Sequence, residues 1–166
     1  MKNIGVQNTE NTCGIVNLAN ILQDEDILIF IDQDELIPAG VKEMNTIMKY
    51  LSYPYNVMPI IASAGYQYKI RKDTFKKTIK DFSTELLKYG EEARYILFVQ
   101  TGVGETELHS VSLIVRGERM LLSDPTLEYF IEIDSLDDIY NSYKYVTQIN
   151  GFHNGDGYVS FYEYDA

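Results

Sequence analysis

A chain of 166 residues with 45% apolar and 23% charged residues is long enough for one sizeable core and too ordinary in composition to be disordered. Its single cysteine excludes an internal disulfide and a multi-cysteine zinc site, and its two histidines leave little for a metal cluster. A net charge of −11 argues against nucleic acid as partner, because binding phosphates needs basic surface, and suits a protein or peptide substrate with a basic segment.

The acidity is uneven: residues 61–90 carry seven basic and three acidic side chains, against four and fourteen in residues 91–166. The start, Met1-Lys2-Asn3-Ile4-Gly5, lacks the apolar core of a signal peptide, and no apolar run approaches membrane length. The expectation is a soluble cytoplasmic protein with no membrane span. No internal repeat or linker interrupts the sequence, so residues 1–166 read as a single domain.

The first predicted element is a helix starting near Cys13, after the natural cap residues Asn11 and Thr12 and leading into the apolar run from Ile15 to Leu22. A thiol there feels the positive end of the helix dipole and unpaired backbone N–H groups, both of which favour the nucleophilic thiolate. Gln7, six residues upstream, is placed to donate its side-chain amide to an oxygen charged by Cys13. A lone cysteine is most often a small buried hydrophobe, so the functional reading needs a base and an orienting partner elsewhere.

Asp24-Glu25-Asp26 and Asp32-Gln33-Asp34-Glu35 lack the glycine and spacing of a calcium loop and are assigned to solvent. Between them Ile27–Ile31 is too short to type by periodicity. Val41–Leu51 reads as a helix with Val41, Met44, Ile47, Met48 and Leu51 on one face, and Val57–Ala62 as a strand. Asp73–Tyr89 reads as a helix capped by Asp73 and ended by Gly90, lined by Phe75, Ile79, Phe82, Leu86 and Leu87. Its lysines (Lys76, Lys77, Lys80, Lys88) form a solvated basic face.

From Arg94 the pattern changes to strands: Tyr95–Gln100, Leu108–Val115, Arg119–Ser123, Tyr129–Ile133, Tyr143–Ile149 and Tyr158–Tyr164, with a short helix in Asp134–Ser142. Helices gathered early and strands late argue for an α+β domain with an antiparallel sheet. His109 opens one strand of a hairpin that returns as Arg119–Asp124 and stops at Pro125. A two-residue Arg116-Gly117 turn sets Asp124 opposite His109; a three-residue turn sets it opposite Ser110. Either way a carboxylate lies beside an imidazole. The second histidine, His153, sits in a turn-forming Asn154-Gly155-Asp156-Gly157 neighbourhood that predicts an exposed hairpin tip.

These residues suit thiol chemistry. His109 takes the Cys13 proton and later protonates the leaving group. Asp124 fixes the imidazole tautomer, and Gln7 with the Cys13 backbone N–H stabilises the oxyanion. The product is a thioester acyl-enzyme, resolved by water or an amine.

In order and spacing, Gln7, Cys13-Gly14 at a helix start, His109 opening a strand, and Asp124-Pro125 resemble the papain-like cysteine peptidase superfamily, most closely the bacteriocin-processing leader peptidases. The resemblance implies a papain-like α+β fold, with N-terminal helices including the Cys13 helix packed on a C-terminal antiparallel sheet. It also implies a Cys-His-Asp triad with glutamine in the oxyanion hole, falling on Cys13, His109, Asp124 and Gln7, and no cofactor or metal. The leader peptidases usually precede the membrane and ATP-binding domains of an exporter, and these 166 residues contain none. The segment from Asp24 to Gly65, which helps shape the substrate groove in that superfamily, carries no matching motif. The expected function is thus a cysteine peptidase or isopeptidase. The alternatives are a papain-fold acyltransferase, transglutaminase or deamidase acting on a protein, and a non-catalytic binding module.

Overall fold

Strand β2 (Ala93–Gln100) is buried at every position. An apolar run without alternation requires cover on both faces, and the chain supplies helices to each. The computed structural model describes residues 3, 13–32, 40–62, 69–100, 109–126, 129–143, 145–155 and 157–161. Within them, α1 (Cys13–Leu22), a 3-10 helix (Glu25–Asp32) and α2 (Val41–Tyr50) precede β1 (Asn56–Ala62) and α3 (Lys72–Leu86). After β2 come β3 (His109–Arg116), β4 (Arg119–Ser123), β5 (Ile131–Ile133), α4 (Asp137–Ser142), β6 (Tyr145–Asn154) and β7 (Gly157–Tyr158). The fold is α+β around a seven-stranded antiparallel sheet of order β1-β6-β2-β3-β4-β5, with β7 on β6.

Strand alternation sorts the core into two layers. Ile96, Phe98, Ile114, Leu121 and Phe152 meet Ile15, Leu18 and Ile21 of α1 and Met44, Ile47 and Met48 of α2. Tyr95, Leu97, Val111, Leu113 and Ile149 turn to the other side, against Phe75 and Ile79 of α3 and Ile139 of α4. Pro59 is tolerated because β1 lies at the sheet edge, where the missing N–H breaks no interior ladder. No helix among the described residues is long and apolar enough to cross a membrane.

Several local expectations change. Ile27–Ile31 lies in the 3-10 helix, and Asp24 is not a solvent-only carboxylate: it accepts the Asp26 N–H at 2.9 Å and the Tyr53 hydroxyl. Burial and the Asp24 carboxylate together push the Tyr53 phenol well above its ordinary value. Helix α3 begins at Lys72, with extended Arg71 at its cap position, so Asp73 serves the first turn rather than capping it. Two of its lysine-rich turns are tethered as well as solvated: Lys72 and Lys76 each lie 3.2 Å from Asp137 of α4.

The β3–β4 turn is Gly117-Glu118, with Arg116 opposite Arg119, not Arg116-Gly117. Gly117 takes φ +62, a left-handed conformation that glycine adopts without a Cβ clash. The ladder therefore pairs Ser112 with Ser123, and Asp124, the next residue, falls level with Val111 rather than His109 or Ser110. The hairpin expected around His153 forms between β6 and β7, but His153 is not exposed at its tip. It is half-buried within β6, paired with Asn56 of β1 and Tyr158 of β7. The last predicted strand shortens to β7, and residues 162–164 lie outside the described residues.

Candidate active site

The site is built at one end of the sheet, where β3 begins and β4 stops. His109 and Asp124 are both mostly buried, with 16% and 13% of their side chains exposed. Their offset in the ladder makes them diagonal neighbours, a separation long side chains span. His109 Nε2 lies 3.1 Å from Asp124 Oδ1. An ionised carboxylate can only accept, so Nε2 carries the proton and the bond selects that tautomer.

Asp124 is held from three sides. The Thr126 backbone N–H and hydroxyl both donate to Oδ1, at 3.0 and 2.8 Å, in the local turn an Asp-Pro-Thr sequence favours. The Tyr143 hydroxyl donates to Oδ2 at 2.7 Å. Burial alone would raise the carboxyl pKa, but the hydrogen bonds from His109, Thr126 and Tyr143 and the charge of His109 outweigh it, holding Asp124 below the usual carboxylate range. Burial, then the Asp124 charge, pushes the Tyr143 phenol far up, so it stays a donor.

Helix α1 is laid along the same strand. Ser112 donates to the Asn17 side-chain oxygen, and its hydroxyl lies 3.5 Å from the Asn17 backbone oxygen. The small side chain of Ser112 allows a helix backbone this close. Further along, Arg94, which pairs with Ile114 in the ladder, donates to the Ile21 carbonyl at 2.8 Å. One helical turn from Ile21 to Asn17 advances about 6 Å and the two strand residues from Ile114 to Ser112 about 6.6 Å, so helix and strand run in step. One more turn sets the Cys13 backbone roughly level with Ser110, on the α1 face of the sheet. His109 opposes Val99 and shares the face covered by α3 and α4 with Val111 and Leu113, so the two groups can meet only around the end of β3. Gln7, Asn11 and Thr12 lie outside the described residues, and Cys13 is described by its backbone alone.

His153 lies at the other end of the sheet. Val99 of β2 opposes His109, whereas Ile96 opposes Asn150, and His153 is further along β6 in the opposite direction. The two histidines are thus separated by on the order of 20 Å along the strands. His153 Nδ1 instead sits 2.9 Å from the Asn154 backbone oxygen.

No family model and no curated protein matches this chain. Its chemistry must be argued from geometry, which also adds residues the sequence reading missed. Thr126 had a legible signal in Asp124-Pro125-Thr126; Tyr143, nineteen residues from Asp124, had none. Among the described residues, no group of three or more His, Cys, Asp or Glu side chains is arranged to hold a metal ion.

The lowered Asp124 pKa has a thermodynamic consequence. The native state binds its proton more weakly than the unfolded chain, so this contribution is full above the unfolded carboxyl value of about 3.9 and is lost as pH falls through the native value. Urea unfolding between pH 2 and 6 should show a steeper acid loss in wild type than in Asp124→Asn. Parallel stability curves would refute the linkage.

Proposed function

We propose that this protein is a papain-like cysteine hydrolase, a peptidase or isopeptidase, in which Cys13 is the nucleophile and His109 its base. The observation that carries the reading is the buried His109–Asp124 pair at the end of β3, the strand whose other face the Cys13 helix crosses. With Nε2 engaged by the carboxylate, Nδ1 is the ring nitrogen suited to take the thiol proton. The thiolate then attacks the scissile carbonyl, the amide C–N bond breaks as the imidazolium protonates the leaving amine, and water releases the acyl group from sulfur. Gln7, with the Cys13 backbone N–H, is assigned to the oxyanion. The acidic charge outside residues 61–90 suits a substrate with a basic segment.

The test is alkylation of Cys13 by iodoacetamide as a function of pH, in wild type and His109→Ala. The expected wild-type profile is a thiol titrating well below the value of about 8.5 for free cysteine, moving towards it in the variant. A wild-type thiol titrating at the ordinary value, or inert to the reagent, would overturn the proposal. A panel of covalent peptide and ubiquitin-like probes then identifies the substrate class.

A further inference from the structure

We propose that Tyr143 is a positioning residue for His109, acting through Asp124: its hydroxyl fixes Oδ2 so that the carboxylate presents Oδ1 to the imidazole. The inference rests on the cysteine-hydrolase reading of this site, and it adds a residue that neither touches substrate nor belongs to the assigned triad.

The argument begins with the distribution of donors. Oδ1 receives His109 Nε2, the Thr126 N–H and the Thr126 hydroxyl; Oδ2 receives Tyr143. The two oxygens of a carboxylate are equivalent, so what the donors fix is the rotation of its plane about Cβ–Cγ. The Thr126 donors come from the local turn and meet the same oxygen as His109, whereas Tyr143 reaches in from a separate element and anchors the opposite oxygen. Held at both oxygens, the plane keeps one edge towards the imidazole.

Tyr143 is itself held on several sides. It is buried, its N–H donates to the Ile139 carbonyl at 2.8 Å at the end of α4, and its ring lies 6.2 Å from the His109 ring, inclined by 39°. Helix α4 is clamped to α3 through Asp137, flanked by Lys72 and Lys76, and Tyr140 donates to the Ile70 carbonyl at 2.7 Å. A short helix with these ties gives a rigid support from which one hydroxyl can be aimed. Among the described residues, the groups facing Asp124 are His109 from β3, Thr126 from its own turn and Tyr143 from the end of α4. No lysine or arginine is recorded against Asp124 among the described residues, so its charge is balanced by these dipoles and by the imidazolium when it forms.

Tyr143→Phe removes the hydroxyl and keeps the ring against His109. The proton on His109 Nε2, followed by proton NMR in Cys13→Ala protein, should give a resonance well downfield of the amides that broadens or disappears in Tyr143→Phe, because the carboxylate is then able to turn. The Asp124 carboxyl carbon should titrate at higher pH in the variant. With a substrate from the probe panel, kcat should fall about tenfold with KM little changed, as for an interaction used in the transition state alone. Tyr140→Phe, which loosens α4 without touching Asp124, should leave the NMR signals in place even if it lowers the melting temperature. The proposal is overturned if Tyr143→Phe retains both the wild-type resonance and the wild-type carboxyl titration, or if Tyr140→Phe moves them equally. Failure of the hydrolase reading would show separately, as an unreactive Cys13 in otherwise wild-type protein.

Discussion

Replacing His109 with alanine is expected to lower turnover by on the order of 10²–10⁴-fold, the range for loss of a positioned general base, while His153→Ala stays near the wild-type rate. The asymmetry follows from where the sheet puts each ring. His109 sits at the first residue of β3 with its Nε2 on Asp124. His153 is bonded to its own neighbour's carbonyl at the far end of β6. Both are partly buried, so either substitution can lower stability without touching chemistry; thermal melts on both variants separate the two effects. Comparable losses in the two variants, with both still folded, would mean that the wrong base has been chosen. A large loss in His153→Ala alone would move the site to the opposite end of the sheet.

The pairing of His109 with Asp124 was legible although the register was not. Both turn lengths considered for the hairpin put a carboxylate beside the histidine, because a shift of one or two residues is small against the reach of the two side chains. The turn itself was misplaced by one residue, since Arg116-Gly117 and Gly117-Glu118 are equally acceptable until the strands are seen to pair Arg116 with Arg119. Helix α2 was legible for the opposite reason: its apolar positions repeat at helical spacing, and Met44, Ile47 and Met48 are buried as that spacing demands. What sequence could not show was contact across distance. Tyr143 follows α4, and nothing in its neighbours marks it as a partner of Asp124. His153 was half legible: the local hairpin to Tyr158 is there, but its second strand partner, Asn56, comes from a distant segment and helps bury the ring the sequence left exposed. Asp24 looked like part of a solvated acidic run until Tyr53 was brought to it by the α2–β1 connection.

Glu92→Ala is expected to destabilise the protein by about 3–5 kcal/mol, the range for removing one member of a buried ion pair. Glu92 is 2% exposed and Arg94 4%, with Arg94 Nε on Glu92 Oε2 at 2.6 Å. The other carboxylate oxygen takes Arg116, whose Nε lies 2.7 Å away, so both oxygens are used. Arg94 also donates to the Ile21 carbonyl and lies over the face of Phe161, 4.4 Å from the ring centre. The Phe161 N–H in turn donates to the Glu92 carbonyl at 2.8 Å. The cluster therefore joins the end of α1, the starts of β2 and the turn end of β3, and the segment after β7. The Ile21 carbonyl is one of those a helix end leaves without an internal partner, and Arg94 satisfies it. Without Glu92, Arg94 loses the carboxylate that holds its Nε, and the hold on the end of α1 through the Ile21 carbonyl loosens. For a chain of this size the melting temperature should fall by roughly 6–20 °C. The exposed pair Arg119–Glu132 provides the contrast: Glu132→Ala removes an ion pair of similar length, 2.9 Å, with water ready to replace it, and should change stability little. A Glu92→Ala protein that melts with wild type would mean that water or another group compensates Arg94. If it melts early as expected, the folded fraction at low temperature should also alkylate at Cys13 more slowly. The helix that carries the thiol then keeps its apolar packing and the Asn17–Ser112 contact but loses the tie at its C-terminal end.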